Sequence, residues 1–419
     1  MISEKTLLTS CTVFLITVWL TACEGTNLST GDVLTEQIPT SSSSATPYPS
    51  PMPACSVVSV ENTPGPTEIS LFTDISEADW IRGTEDARIT FVNYCDFQSP
   101  FCASLAQVFA QLEVEFSQDF RLIYRHFPLL NRHDKSALAT QAAEAAGVQG
   151  SFWRMYDQLY GRQSDWISQS PENFQVWLDD RAQAIGLDLD QWQSDIADEN
   201  IRDQVQFTWE RALSLGLPGT PFLLLNGVIY EGPRDFTSLS SIIRLTLLES
   251  RHFHRCPPQV IDPDNEYTVT LHTERGDITI ALYPQEAPLA VNSFIYLAQQ
   301  GWYDSNPFFM VKTNFMAQSG DPSGTGLGTP GYLFDVEIAP NLRFDGPGIV
   351  ALNNTGPTSN GSIFFITFAA QPQLEGQYTI IGRVIRGLDV LNRLTTRDPI
   401  PGSPAEPADL LLSVSIEEK

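Results

Sequence analysis

The run Phe308-Phe309-Met310-Val311-Lys312-Thr313-Asn314-Phe315-Met316-Ala317-Gln318-Ser319-Gly320-Asp321-Pro322 decides how the C-terminal third of this chain is read. Upstream of it, residues 267–272 and 278–283 are β-rich runs joined by Glu274-Arg275-Gly276-Asp277, a hairpin signature. Residues 288–299 then predict a helix that begins at a proline and carries Val291, Phe294, Ile295 and Leu297 as its apolar face. Downstream come Gly324-Thr325-Gly326, Pro330-Gly331-Tyr332, a segment from Gly356-Pro357 through Asn360-Gly361-Ser362-Ile363-Phe364-Phe365-Ile366-Thr367, and a last strand near 410–416. Short strands punctuated by glycine predict a closed antiparallel β-barrel with flanking helices over residues 266–419.

These blocks, in this order and spacing, resemble the cyclophilin-type prolyl isomerases. The resemblance implies an X-Pro bond in a peptide or protein as substrate and no cofactor. Rotation about a peptide bond faces about 18–20 kcal/mol because resonance stiffens the C–N bond, so a catalyst must favour the twisted state. By resemblance Phe315, Met316, Phe365 and Leu374 hold the proline ring, Gln318 and Asn354 grip the neighbouring backbone, and Asn353 and Tyr378 complete the substrate surface. Met310 stands where the family places a catalytic arginine, and a thioether has no proton to donate. Ile363 replaces an expected glutamine, Gln373 an aromatic residue, and Tyr378 a histidine. A weakened isomerase, or a non-catalytic binder of proline-containing peptides, is the expectation.

The middle of the chain follows a different pattern. Residues 88–94 form a buried strand that runs into Cys95-Asp96-Phe97-Gln98-Ser99-Pro100-Phe101-Cys102 and a helix. A second strand ends in Arg125-His126-Phe127-Pro128, a long helical region follows, and Gly219-Thr220-Pro221-Phe222-Leu223-Leu224-Leu225-Asn226-Gly227 sets a proline at the head of another strand. Together these segments resemble the DsbA-like thioredoxin family over residues 68–256, an α/β fold with a helical insertion. In that family Pro221 would be a cis proline facing the redox pair. Thiol exchange needs a thiolate at the first position of the turn. Here that position is Ser99, so Cys95, Ser99, Cys102 and Pro221 read as a remnant of a redox site.

Cys95 and Cys102 either approach closely enough for a disulfide or remain two buried thiols. A thiol-disulfide oxidoreductase working through this pair is the third functional alternative. Cys55 and Cys256 flank the domain and form the natural companion pair. The five histidines, His126, His133, His252, His254 and His272, show no metal-ligand spacing, and no metal site is expected.

Residues 1–22 carry a short apolar core ending in Leu20-Thr21-Ala22-Cys23, which resembles the bacterial lipobox and implies a lipid-modified Cys23. The Ser/Thr/Pro-rich stretch 23–67 reads as a disordered tether, and 257–265 as a linker. The expected setting is extracytoplasmic, anchored to a bacterial membrane through the lipid alone, with X-Pro segments of exported proteins as partners. With 50 acidic against 24 basic residues and a net charge of −26, the chain is a poor partner for nucleic acid.

Overall fold

The structure, a computed structural model, describes residues 52, 54–58, 69, 71, 75–76, 79–398 and 407–419. The expected signal peptide, Cys23 and most of the expected tether lie outside the described residues. The chain is multidomain, with a thioredoxin-like and a cyclophilin-like part. After strand β1 (Cys55–Val57), the first part contains β2 (Trp80–Gly83), β3 (Ile89–Cys95), α1 (Pro100–Glu115), β4 (Phe120–His126), α2 (Ser136–Val148), α3 (Phe152–Gly161), α4 (Gln163–Trp166), α5 (Pro171–Ala184), α6 (Leu189–Ile196), α7 (Glu199–Ser214), β5 (Phe222–Leu225), β6 (Val228–Ile229) and α8 (Phe236–Leu248).

Its sheet has the order β2-β4-β3-β5-β6. Only β3 and β4 are parallel, because α1 carries the chain back between them. Strand β3 is buried on both faces: Phe91 packs with Phe109 and Phe120, while Val92 and Tyr94 pack with Ile123 and Leu224. The insertion α2–α7 folds on itself because α2 is alanine-rich. Ala139, Ala142, Ala143, Ala145 and Ala146 are all fully buried beside Phe152, Tyr156 and Tyr160. Residues this small let a helix pack closely against bulky aromatic neighbours.

The second part contains β7 (Tyr267–Thr273), β8 (Gly276–Leu282), α9 (Pro288–Gln299), β9 (Asn306–Pro307), β10 (Met310–Lys312), β11 (Met316–Ser319), β12 (Tyr332–Phe334), β13 (Ile349–Leu352), β14 (Phe364–Thr367), β15 (Ile380–Arg386), α10 (Leu388–Leu391) and β16 (Leu410–Glu418). Nine of these strands form one antiparallel sheet in the order β10-β11-β14-β13-β15-β8-β7-β16-β9. The expected barrel is thus a curled sheet with two ends, and among the described residues no ladder joins β9 to β10. Helix α9 buries Val291, Phe294, Ile295 and Leu297 in the main core. Its N-terminal amides at Leu289 and Ala290 are capped by the Glu337 carboxylate, at 3.1 and 2.8 Å. Burial pushes that carboxyl up, against the pull of the two amides.

Two organisational expectations are corrected. Residues 54–58 do not belong to a disordered tether: β1 pairs antiparallel with β12, and Cys55 is bonded to Cys256 with a Cα–Cα distance of 6.0 Å. The segment 257–265 is not a free linker. Pro257 and Ile261 are buried, Val260 N–H donates to Asn292 Oδ1, and the Pro257 carbonyl accepts from Met52 N–H. Apolar residues at these positions have a core to enter, which composition alone did not reveal.

Candidate active site

Strands β10 and β11 are joined by a tight turn in which Asn314 is left-handed (φ 60°) and Phe315 N–H donates to the Lys312 carbonyl. The register sets Met310 opposite Gln318, and β11 sets Gln318 opposite Phe365 and Met316 opposite Thr367 on β14. Side chains alternate across a strand, so one set enters the main core and the next faces away. Ala317, Phe364, Ile366, Val350 and Leu352 take the core side. Met316, Phe365, Ile349, Ala351 and Ile380 take the other and form a second apolar cluster, with Met310, Phe315 and Tyr378 partly buried on it.

This cluster is centred on Phe365. Phe365 is fully buried, flanked edge-on by Tyr378 at 5.3 Å and stacked on Phe344 at 5.9 Å. Met316 and Leu374 are buried beside it, while Met310, Phe315 and Gln318 stay partly accessible. Gln318 Nε2 meets Met316 Sδ at 3.2 Å, a weak contact that leaves the amide available for a backbone partner. Asn354 Nδ2 donates to the Gln377 carbonyl at 3.0 Å, tying its loop to the segment that carries Tyr378. Asn353 N–H donates to the Ile363 carbonyl. Half-buried Tyr283, also packed on this cluster, has its hydroxyl pKa raised, mainly by burial.

Of the residues assigned to this site from sequence, Met310, Phe315, Met316, Phe365, Leu374 and Tyr378 share one cluster. Gln318 is brought beside them by register, and Asn353 and Asn354 stand on the adjoining loop. Sequence reading missed Phe344, Ile349, Ala351 and Ile380. The signal was present in Ile349-Val350-Ala351-Leu352, where four successive apolar residues imply a strand buried on both faces. It also missed Gln371, whose Nε2 donates to the Asn314 carbonyl at 2.9 Å and fixes the turn beneath Phe315.

The segment read as a redox-site remnant is closed. Cys95 and Cys102 are bonded to one another, with Cα atoms 5.9 Å apart and accessibilities of 1% and 0%. Ser99 is buried and caps α1, its Oγ accepting from Cys102 N–H at 3.4 Å. Asp96 accepts from Gln98 N–H, Leu129 N–H and His133 Nδ1, while Gln163 Nε2 donates to the Phe97 and Ser99 carbonyls. The Thr220–Pro221 bond is cis, and the pairing of Phe222 with Tyr94 places Pro221 at the same end of the sheet as Cys95. Among the described residues no group of three or more His, Cys, Asp or Glu side chains is placed to hold a metal. No described helix is long and apolar enough to cross a membrane.

Residues 268–414 match the family model for cyclophilin-type peptidyl-prolyl cis-trans isomerases, and residues 76–244 match a thioredoxin family model. The chain is 46% identical over 129 residues to peptidyl-prolyl cis-trans isomerase-like 1 of Aspergillus niger, covering 30% of this chain and 80% of the relative. It is 42% identical over 141 residues to the Homo sapiens protein of the same name, covering 33% and 83%. Against peptidyl-prolyl cis-trans isomerase 9 of Schizosaccharomyces pombe it is 47% identical over 127 residues, 30% of this chain but 21% of that relative. A crystal structure of a Cryptosporidium parvum cyclophilin-type isomerase aligns at 32% identity and a TM-score of 0.34, covering 36% of this chain and 98% of that one.

Proposed function

The chain belongs, through residues 268–414, to the cyclophilin-type peptidyl-prolyl cis-trans isomerase family, and we propose that it is a folding factor for exported proteins whose isomerase activity is weak. The observation that carries the weakness is Met310, level with Gln318 at the rim of the proline slot where the family's arginine would stand. Without that donor nothing at this position stabilises the prolyl nitrogen as its conjugation is lost, whereas the apolar slot and the Gln318 amide still bind the ground state. The test is an isomerisation assay on an X-Pro peptide with wild type and Met310→Arg. Restoring one preorganised donor is expected to raise the rate about 10²–10³-fold. A wild type already as fast as the arginine variant would sink the reading.

A second reading, a non-catalytic peptide binder, is favoured by the same residue. It holds if wild type binds the peptide but turns over at background. Thiol exchange is disfavoured, because the attacked sulfur must be reachable and both Cys95 and Cys102 are sealed.

The extracytoplasmic, lipid-anchored setting rests on Leu20-Thr21-Ala22-Cys23. Two bonded cysteine pairs support an oxidising compartment. Labelled palmitate should enter the wild-type protein expressed in a bacterium and be lost in Cys23→Ala. Equal labelling of both would remove the anchor from the argument.

A further inference from the structure

A cavity of about 640 Å³ lies in the thioredoxin-like part between β2, β4, α2 and α7, lined by none of the residues of the Phe365 cluster. That volume falls in the range of small-ligand sites. Charges in its wall are unequally satisfied. The Arg125 guanidinium is fully engaged: it binds both oxygens of Asp79 at 2.7 and 3.1 Å, the Tyr94 hydroxyl at 3.0 Å and the Leu71 carbonyl at 3.1 Å. Glu144 is different. Its Oε1 accepts from Trp80 Nε1 and pairs with His126 Nε2, each at 2.7 Å, and Oε2 receives no donor among the described residues.

Burial pushes the Glu144 carboxyl up, but the hydrogen bond and charge of His126 and the indole N–H outweigh it, and the group ends below the ordinary glutamate value. It is therefore anionic at neutral pH. His126 itself is 8% exposed, so the carboxylate is anchored by a fixed partner. An anionic oxygen without a donor is best met by a charged N–H, which makes stronger hydrogen bonds than a neutral one. The mouth supplies a matching apolar surface: Phe207 on α7 lines the cavity and is 54% exposed. The same wall already accepts a cation elsewhere, since Arg125 lies 5.7 Å over the Tyr94 ring.

We propose that this cavity binds a guanidinium or primary ammonium group, through Glu144 Oε2 and the face of Phe207. The source is either a free organic cation or a basic side chain on a polypeptide. Arg211, exposed one turn beyond Phe207 on α7, is the wall cation that such a ligand would approach. The site shares no residue with the proline slot, so its fate does not depend on the isomerase reading.

The test is calorimetric titration of the full chain with N-acetyl-arginine amide, with a heptapeptide carrying one internal arginine, and with the same heptapeptide carrying citrulline. Saturable binding of an arginine probe, about tenfold or more weakened by citrulline and by Glu144→Gln, is expected, that being the scale of one charge-assisted hydrogen bond. Arg211→Ala should tighten binding about threefold by removing an exposed like charge. That surface variant keeps the test decisive if Glu144→Gln fails to fold. Tighter binding of the arginine peptide assigns the site to polypeptide, and tighter binding of the amide to a free cation. Citrulline binding as well as arginine, weaker binding on Arg211→Ala, or no saturable heat from either arginine probe overturns the proposal.

Discussion

At position 310 the proposed weakness rests on a single side chain of an apolar cluster. Met310 is partly buried on the same cluster as Phe315 and Phe365, so on the proposed reading the thioether offers apolar surface to a bound peptide. On that reading the loss falls on the twisted state, because only there does the prolyl nitrogen become a hydrogen-bond acceptor. Met310→Arg should therefore act on kcat and leave KM within about a fewfold, the pattern of an interaction made in the transition state alone. A variant that lowered KM and left kcat unchanged would show arginine binding the ground state instead. At this scale the grouping of Phe315, Gln318 and Phe365 was legible, because they sit at fixed spacings in the sequence and the strand register brings them together. Phe344 and Gln371 were not legible, since each reaches the slot from a loop whose path depends on tertiary packing.

Elements divide along the same line of local against distant information. Helix α9 begins at Pro288 as read, because proline suits the first turn, and the β7–β8 hairpin follows from its turn residues. Strand β1 was invisible. Cys55-Ser56-Val57 is three residues long, carries no alternation, and becomes a strand only by pairing with Tyr332–Phe334 far along the chain. That pairing reaches the loop between β13 and β14: Phe334 exchanges backbone hydrogen bonds with Asn360 at 3.0 and 3.1 Å, and Val336 N–H donates to the Pro357 carbonyl at 2.8 Å. Untying β1 should loosen β12 and, through it, the loop bearing Asn353 and Asn354. Cys55→Ser is expected to cost about 2–5 kcal/mol, the usual effect of removing a native cross-link. Hydrogen exchange should speed up at β12 and at residues 353–361 before it does at β3 or β4. Exchange unchanged at 353–361 would mean that β1 is a clasp with no reach into the site.

For the molecule as a whole, charge is the strongest physical consequence of its composition. Fifty acidic against 24 basic residues leave −26, and the acidic excess is spread along the chain. Compaction brings these charges together, so self-repulsion opposes folding and keeps molecules apart. The described ion pairs work the other way. Several are exposed at both partners, and pairs of that kind contribute about 0–1 kcal/mol each. Arg125–Asp79 is better shielded, with side-chain exposures of 12% and 7%. Salt separates the two contributions, because the Debye length falls from about 30 Å at 0.01 M to about 3 Å at 1 M. Repulsion acts over the longer of these distances and is screened first, whereas a contact at 2.7 Å between shielded partners is barely touched. Unfolding temperature measured by calorimetry should therefore rise with sodium chloride, by about 2–5 °C between 0.01 and 0.5 M, a gain on the order of 1 kcal/mol for parts of this size. Near the isoelectric point that the composition gives, about pH 4.4, the same increment of salt should give almost no gain. A melting temperature that fell with salt at neutral pH would show instead that attractive pairs outweigh the acidic excess.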